Sequence, residues 1–171
     1  VSLPITIRSG WNLISFNIHK PDMGLSTLLS SLLLTQGDTI KNQTSSAQWF
    51  DQWFGSLNVI NPTGAYYLKS SQAQDVVLEG QSAAALPINL NSGWNWISYL
   101  PRQAHGIDAA FPPENFQPLD FIKTQTASAQ LVEINGENIW LGSMTTVSPG
   151  SGYLLKTSTS RPFTYPNDNG Q

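Results

Sequence analysis

The stretch SGWNLISFNI, from Ser9, returns as SGWNWISYLP, from Ser92. The match then continues in order down the chain. Asp38–Gln48, DTIKNQTSSAQ, returns as DFIKTQTASAQ at Asp120–Gln130, Trp53-Phe54-Gly55-Ser56 returns as Trp140-Leu141-Gly142-Ser143, and Tyr66-Tyr67-Leu68-Lys69 as Tyr153-Leu154-Leu155-Lys156. A period of about 80 residues is too long for most solenoids and suits a small globular unit used twice. The expected division is a first repeat at 1–82, a second at 83–166 and a linker or tail at 167–171, with one compact pseudo-symmetric domain as the alternative. The second copy is longer around Glu133 to Asn138, where Asn135-Gly136 is a strong two-residue hairpin signal.

Within each copy the apolar period is mostly two. Ile14, Phe16 and Ile18 share one strand face and Trp11 and Leu13 the other; Ile97 and Tyr99 likewise oppose Trp94 and Trp96. Further strand-like runs lie at Leu3 to Ile7, Thr39 to Gln43, Ala47 to Phe50, Trp53 to Val59, Ala65 to Lys69 and Val76 to Leu78, with turn residues between. One segment departs from this: Leu25, Leu28, Leu29, Leu32 and Leu33 recur at helical spacing, with Asp22 placed to cap them. In the second copy Pro112-Pro113 limits the corresponding helix to a turn or two. The expected fold is mainly β: two tandem β-rich lobes of sandwich or small-barrel type, related by a pseudo-twofold, each with a short helical insertion.

Composition narrows the function classes. Only 11 % of the 171 residues are charged, where soluble domains average about a quarter. With eight Lys and Arg and a formal charge of −3 there is no basic field for phosphates, so neither nucleic acid nor an anionic membrane is an expected partner. No apolar window approaches the eighteen residues of a spanning helix. Absence of cysteine excludes disulfides, thiolate metal sites and thiol nucleophiles. The chain fits an exported bacterial domain, read as a piece of a longer protein. His19 and His105 have no patterned nucleophile or carboxylate around them, no G-x-S-x-G or calcium-loop motif occurs, and neither catalysis, a metal nor a cofactor is expected.

The ordered set GWNLISFNI, DMGLSTLLSSL, GDTIKNQ, WFGSL, AYYLK and VVLEG resembles a repeat module of large bacterial surface and secreted proteins. That module carries a Gly-Trp-Asn/Thr-Trp-Ile/Leu-Ser opening and later Trp-x-Gly-Ser/Gln-Leu and Tyr-x-Leu-Lys strands. The resemblance covers about residues 4 to 80 and 86 to 165; the second copy departs from it at the helix and where Tyr165-Pro166 replaces Leu-Glu-Gly. It implies an extracellular, non-catalytic accessory role attached to adhesins or polysaccharide-active enzymes. It supplies no ligand.

Two groups of residues are candidates for binding. Trp11, Trp94, Trp53 and Trp140 occur in both copies and read as scaffold, and Trp96, in place of Leu13, as packing. Trp49 is unmatched, and with Phe50, Asp51 and Gln52 on a hairpin it has the makeup of a sugar site: an aromatic face for the ring's C–H groups, carboxylate and amide for the hydroxyls. The competing reading has Trp49 covering the seam between lobes. The second group is the repeated polar strip. Lys41, Gln43, Lys123 and Gln125 either satisfy loop carbonyls and turn backbone in each copy, or line paired glycan or peptide sites that gain by bivalency. The function expected is polysaccharide or cell-surface glycan binding; the alternative is a structural or adhesive unit joining neighbouring domains.

Overall fold

The computed structural model describes residues 1–166, and the expected tail at 167–171 lies outside the described residues. The chain is mainly β. Its first half runs β1 (Ser2–Ile7), β2 (Gly10–Ser15), β3 (Ile18–His19), α1 (Leu25–Leu28), β4 (Thr39–Lys41), β5 (Ser46–Trp49), β6 (Trp53–Gly55), β7 (Ala65–Ser70), β8 (Gln74–Glu79) and β9 (Gln81–Ser82). The second runs β10 (Ile88–Leu90), β11 (Gly93–Ser98), β12 (His105–Gly106), α2 (Ile107–Ala110), β13 (Phe121–Lys123), β14 (Ser128–Ile134), β15 (Glu137–Gly142), β16 (Thr146–Val147), β17 (Gly152–Thr157) and β18 (Arg161–Phe163). Two five-stranded antiparallel sheets dominate, ordered β2-β7-β4-β5-β6 and β11-β17-β13-β14-β15, flanked by the ribbons β1-β8, β10-β18, β3-β9 and β12-β16. Each large sheet ends in strands that do not pair with one another, so neither closes. The small-barrel form of the expectation is therefore wrong.

Register sorts the residues of each sheet. Ile40 sits opposite Leu68 on one side and Ala47 on the other, and all three are buried. One position along, Trp11, Lys69, Thr39, Gln48 and Phe54 form a row on the opposite face. At the far edge of the second sheet Ile134 pairs with Glu137 across Asn135-Gly136, both with positive φ (53° and 82°), as a two-residue turn matched to strand twist requires.

The core falls into two main clusters of different character. In the first half it is mostly aliphatic, built on Leu25, Leu28, Leu29 and Leu32 with Ile14, Ile40 and Leu68 around the Phe16–Tyr66 pair. In the second it is richer in aromatics: Phe111 stacks on Phe163 at 5.6 Å, Phe116 meets Trp140 edge-on at 5.7 Å, and the Trp140 indole donates to the Phe111 carbonyl at 2.8 Å. The Leu-rich segment supplies volume that, after Pro112-Pro113, is filled by rings. The helix is shorter than its leucine spacing suggests, a single turn in either half; Leu32 is buried beyond its end while Leu33 is exposed. Asp22 does not cap it: Gly24 is the N-cap, and the Asp22 carboxylate accepts from the Gly24 N–H (2.9 Å) and the Thr27 hydroxyl (2.6 Å), which hold its pKa below the usual value.

The repeated polar residues close turns from inside. Buried Asp38 accepts from the backbone N–H groups of Thr35 and Ser71, and buried Asp120 from those of Gln117 and Ser158. Asn12 accepts from the Arg8 N–H and donates to the Arg8 carbonyl, as Asn95 does with Asn91. Each side chain thus stands in for a strand that bends away, meeting groups whose burial unpaired costs about 1–3 kcal/mol. Gly55 and Gly142 pass so close to the neighbouring strand that an added Cβ would lie 2.2 Å from the carbonyl oxygen of Ser46 or Ser128. No other residue fits there.

Tyrosine hydroxyls finish the cores. Tyr66 accepts from the Asn61 N–H at 2.7 Å and Tyr153 from the Ser148 N–H at 2.9 Å, while fully buried Tyr165 donates to the Ser98 carbonyl at 2.7 Å. Burial raises the pKa of all three, Tyr165 furthest. Because the folded pKa lies above the unfolded value of about 10, this stabilisation is complete below that pH and is lost as pH rises through the folded values. An alkaline titration followed by phenolate absorbance and circular dichroism should show stability falling above pH about 10, with Tyr165 ionising only as the chain unfolds. Ionisation of all five tyrosines at the ordinary value in folded protein would contradict the packing described.

Candidate binding sites

β2 and β11 are edge strands of their sheets, and each would expose unpaired backbone groups. Each is met by the other half. Gln125 donates to the Trp11 carbonyl (3.0 Å) and accepts from the Leu13 N–H (3.3 Å); Gln43 donates to the Trp94 carbonyl (3.1 Å) and accepts from the Trp96 N–H (3.3 Å). A glutamine amide carries one donor and one acceptor side, so it satisfies a strand edge as a peptide group would. Further along, the Ser15 N–H reaches the Gly150 carbonyl and the Ser98 N–H the Thr63 carbonyl. The Ser15 hydroxyl accepts from the Tyr99 N–H, and the Ser98 hydroxyl donates to the Phe16 carbonyl. Leu13, Ala65 and Leu154, with Tyr67 and Trp96 against them, form a small apolar cluster between the halves.

Of the polar strip, then, Gln43 and Gln125 bind backbone, though of the opposite half rather than of their own turns. Lys41 and Lys123 do something else. The Lys41 ammonium lies 4.9 Å from the centre of the Trp11 ring and Lys123 4.9 Å from that of Trp94, with Lys69 and Lys156 near 6 Å on the same two indoles. The expectation that all four matched tryptophans are internal scaffold is corrected here. Trp140 is buried and Trp53 half-buried, but Trp11 and Trp94 are 42 % and 39 % exposed. The physical reason is the edge strand: its inward residues at this point are Asn12 and Asn95, needed by the turn, which sends the neighbouring indoles outward. Trp96 is half-buried in the cluster between halves, as a packing residue.

The Trp49 group forms a separate site. β5 and β6 pair with Trp49 opposite Trp53; the rings meet edge-to-face at 5.5 Å, and Phe50, Asp51 and Gln52 make the turn, with Asp51 at φ 63°. Trp49, Asp51, Gln52 and Trp53 line a recess of about 290 Å³ whose floor is Leu29 and Leu32 and whose rim includes Ser26 and Ser30. Trp49 therefore sits over the leucine segment and does not cover the seam between halves. Phe50 is 47 % exposed but does not line the recess. The Asp51 carboxylate accepts from the Gln36 amide at 2.6 Å. The matched place in the other half is filled: Leu131 is fully buried, and Phe116 covers Trp140.

Sequence reasoning missed Arg8, Lys69 and the indoles of Trp11 and Trp94 as surface features. The available signal was the Trp-Asn pair itself, since a buried Asn turns its neighbour outward. No group of three or more His, Cys, Asp or Glu side chains that could hold a metal occurs among the described residues.

Replacing either Gln43 or Gln125 by Ala should cost about 1 kcal/mol in urea unfolding, because a partly exposed edge can recover water as a partner. The double variant should cost more and make unfolding less cooperative; two silent substitutions would remove these amides from the account. No protein-family model, no curated protein and no solved structure matches the chain, and its function is read from these sites.

Proposed function

We propose that this chain is a non-catalytic, extracellular bacterial binding module that holds a polysaccharide in the Trp49–Trp53 recess. The carrying observation is the recess itself: two indoles at 68° to one another, with a carboxylate, a free-standing amide and two serines at the rim. Indole faces take the C–H surface of a pyranose while short polar side chains meet its hydroxyls. No chemistry on the sugar is part of the proposal. The module belongs, on this reading, to the repeat family of bacterial surface and secreted proteins that its motifs resemble.

The proposed architecture is two copies of one unit related by an approximate twofold. Support comes from the reciprocity of the contacts: Gln43 meets Trp94 and Trp96 as Gln125 meets Trp11 and Leu13, the pattern a twofold interface produces. The copies then share a scaffold and differ in recognition, since only the first leaves its aromatic corner open.

A second reading is favoured by one observation. Trp94, Phe121, Ile139 and Leu141 stand on one face of the second sheet, and all but Phe121 are exposed. Such a patch suits a structural or adhesive unit docking against a neighbouring domain.

Trp49→Ala should abolish retention on immobilised neutral polysaccharide while moving the Tm by only a few degrees, because the indole is half-open. Unchanged retention would end the glycan reading at this recess. Light scattering separates the second reading: a monomer at all concentrations supports glycan binding, whereas concentration-dependent assembly abolished by Leu141→Ser supports the structural role.

A further inference from the structure

We infer a second, independent site: a cationic trough between the halves, centred on Trp11, that binds a polymer of acidic sugars through their carboxylates. Three recesses adjoin the Gln125 side chain. One, of about 430 Å³, is lined by Trp11, Lys41, Tyr67 and Gln125. The other two, of about 350 and 390 Å³, lie beyond it and are both lined by Arg8. Gln125 lines all three and Trp11 both the first and the 350 Å³ recess, so the recesses adjoin around these two side chains, with Lys41 lining one and Arg8 the other two.

The aromatic floor is stepped. Trp11 meets Tyr67 edge-on at 6.2 Å and Tyr67 meets Trp96 at 5.1 Å, which brings rings from both halves to one place. Lys41 stands 4.9 Å from the Trp11 ring and 5.9 Å from Tyr67, and Lys69 5.9 Å from Trp11. In a chain with a net charge of −3, no ion pair engages Arg8, Lys41 or Lys69 among the described residues. Cation–π contact at a half-open site holds an ammonium in place without neutralising it. The result is a set of positioned, unpaired positive charges beside aromatic faces. That is the complement of a uronate, with a C–H face for the rings and a carboxylate for charge-assisted hydrogen bonds.

The sequence-matched place in the other half argues that this composition is not scaffold. The Lys–Trp stack recurs there as Lys123 on Trp94, but Asn91 stands for Arg8, Leu154 for Tyr67 and Leu13 for Trp96, and Phe121 fills the position of Thr39. What packing needs is present twice. The third cation and the stepped rings are present once. Extension over three recesses favours a chain of several residues over a single sugar.

The test is affinity electrophoresis and calorimetry of the whole protein with polygalacturonate and with alginate, using fully methyl-esterified polygalacturonate as the uncharged form of the same backbone. The protein should bind the polyuronates and bind the ester at least about tenfold more weakly, the worth of one charge-assisted contact. Lys41→Gln/Lys69→Gln should lose about tenfold or more in affinity, whereas the charge-matched Lys20→Gln/Lys156→Gln should stay within about twofold, since its cations lie outside the trough. Melting curves check that each variant is folded, and Arg8→Gln gives a second reading should the Lys41 variant not fold. Failure of the wild type to bind either polyuronate, equal binding of the ester, or equal losses from the two double variants would each overturn the site. The same titrations in the Trp49→Ala variant keep the two sites apart: binding of the uncharged ester that this variant loses belongs to the Trp49 recess, and only what it retains is scored against the trough.

Discussion

Two sheet edges that face one another constrain everything else in this molecule. β2 and β11 each carry a row of backbone donors and acceptors that no strand of their own sheet satisfies. A long open edge is a liability for aggregation. Here the edges are answered by side-chain amides, serine hydroxyls and loop carbonyls from the opposite half. The apolar cluster of Leu13, Ala65 and Leu154 adds modest burial, and Gly152 leaves room for it: a Cβ there would come within 2.7 Å of the Ala65 methyl. Each edge is thus met by the opposite half, and the shared seam follows from backbone chemistry more than from hydrophobic area.

Fixing the seam also fixes what lies beside it. The turn preceding each edge strand is closed by a buried asparagine, Asn12 or Asn95, and alternation then turns Trp11 and Trp94 outward. The lysines two strands over, Lys41 on β4 and Lys123 on β13, come to rest on those indoles. Residues repeated for structural reasons thereby create an aromatic, positively charged margin along the junction. Recognition, on the proposed reading, uses the places where the halves depart from one another: the open Trp49 corner, and the trough in which Arg8, Tyr67 and Trp96 stand.

The strands were readable because their period of two coincides with burial on one face, as Ile40, Leu68 and Ala47 show. The Asn135-Gly136 turn was readable because left-handed backbone demands those residues. The helix was overread: leucines at helical spacing are equally served by one turn followed by a compact loop that buries Leu32 and exposes Leu33. The Trp49 hairpin was found from composition, since an unmatched aromatic beside Asp and Gln needs no tertiary information. The two glutamines were singled out, but their partners were not, because a repeat shows that a side chain is required without showing which half it serves. Trp11 and Trp94 were misassigned for a related reason. Recurrence measures constraint, and an exposed ring pinned by a lysine is as constrained as a buried one.

The seam is tested most directly by native-state hydrogen exchange at the Leu13, Ser15, Trp96 and Ser98 amides. If the halves satisfy one another's edges, these four should exchange as slowly as the core amides of Ile40 and Ile122, through global opening only. Exchange at the rate of a free sheet edge, with both cores still protected, would mean that the halves part readily and that the proposed clasp does not hold the molecule together.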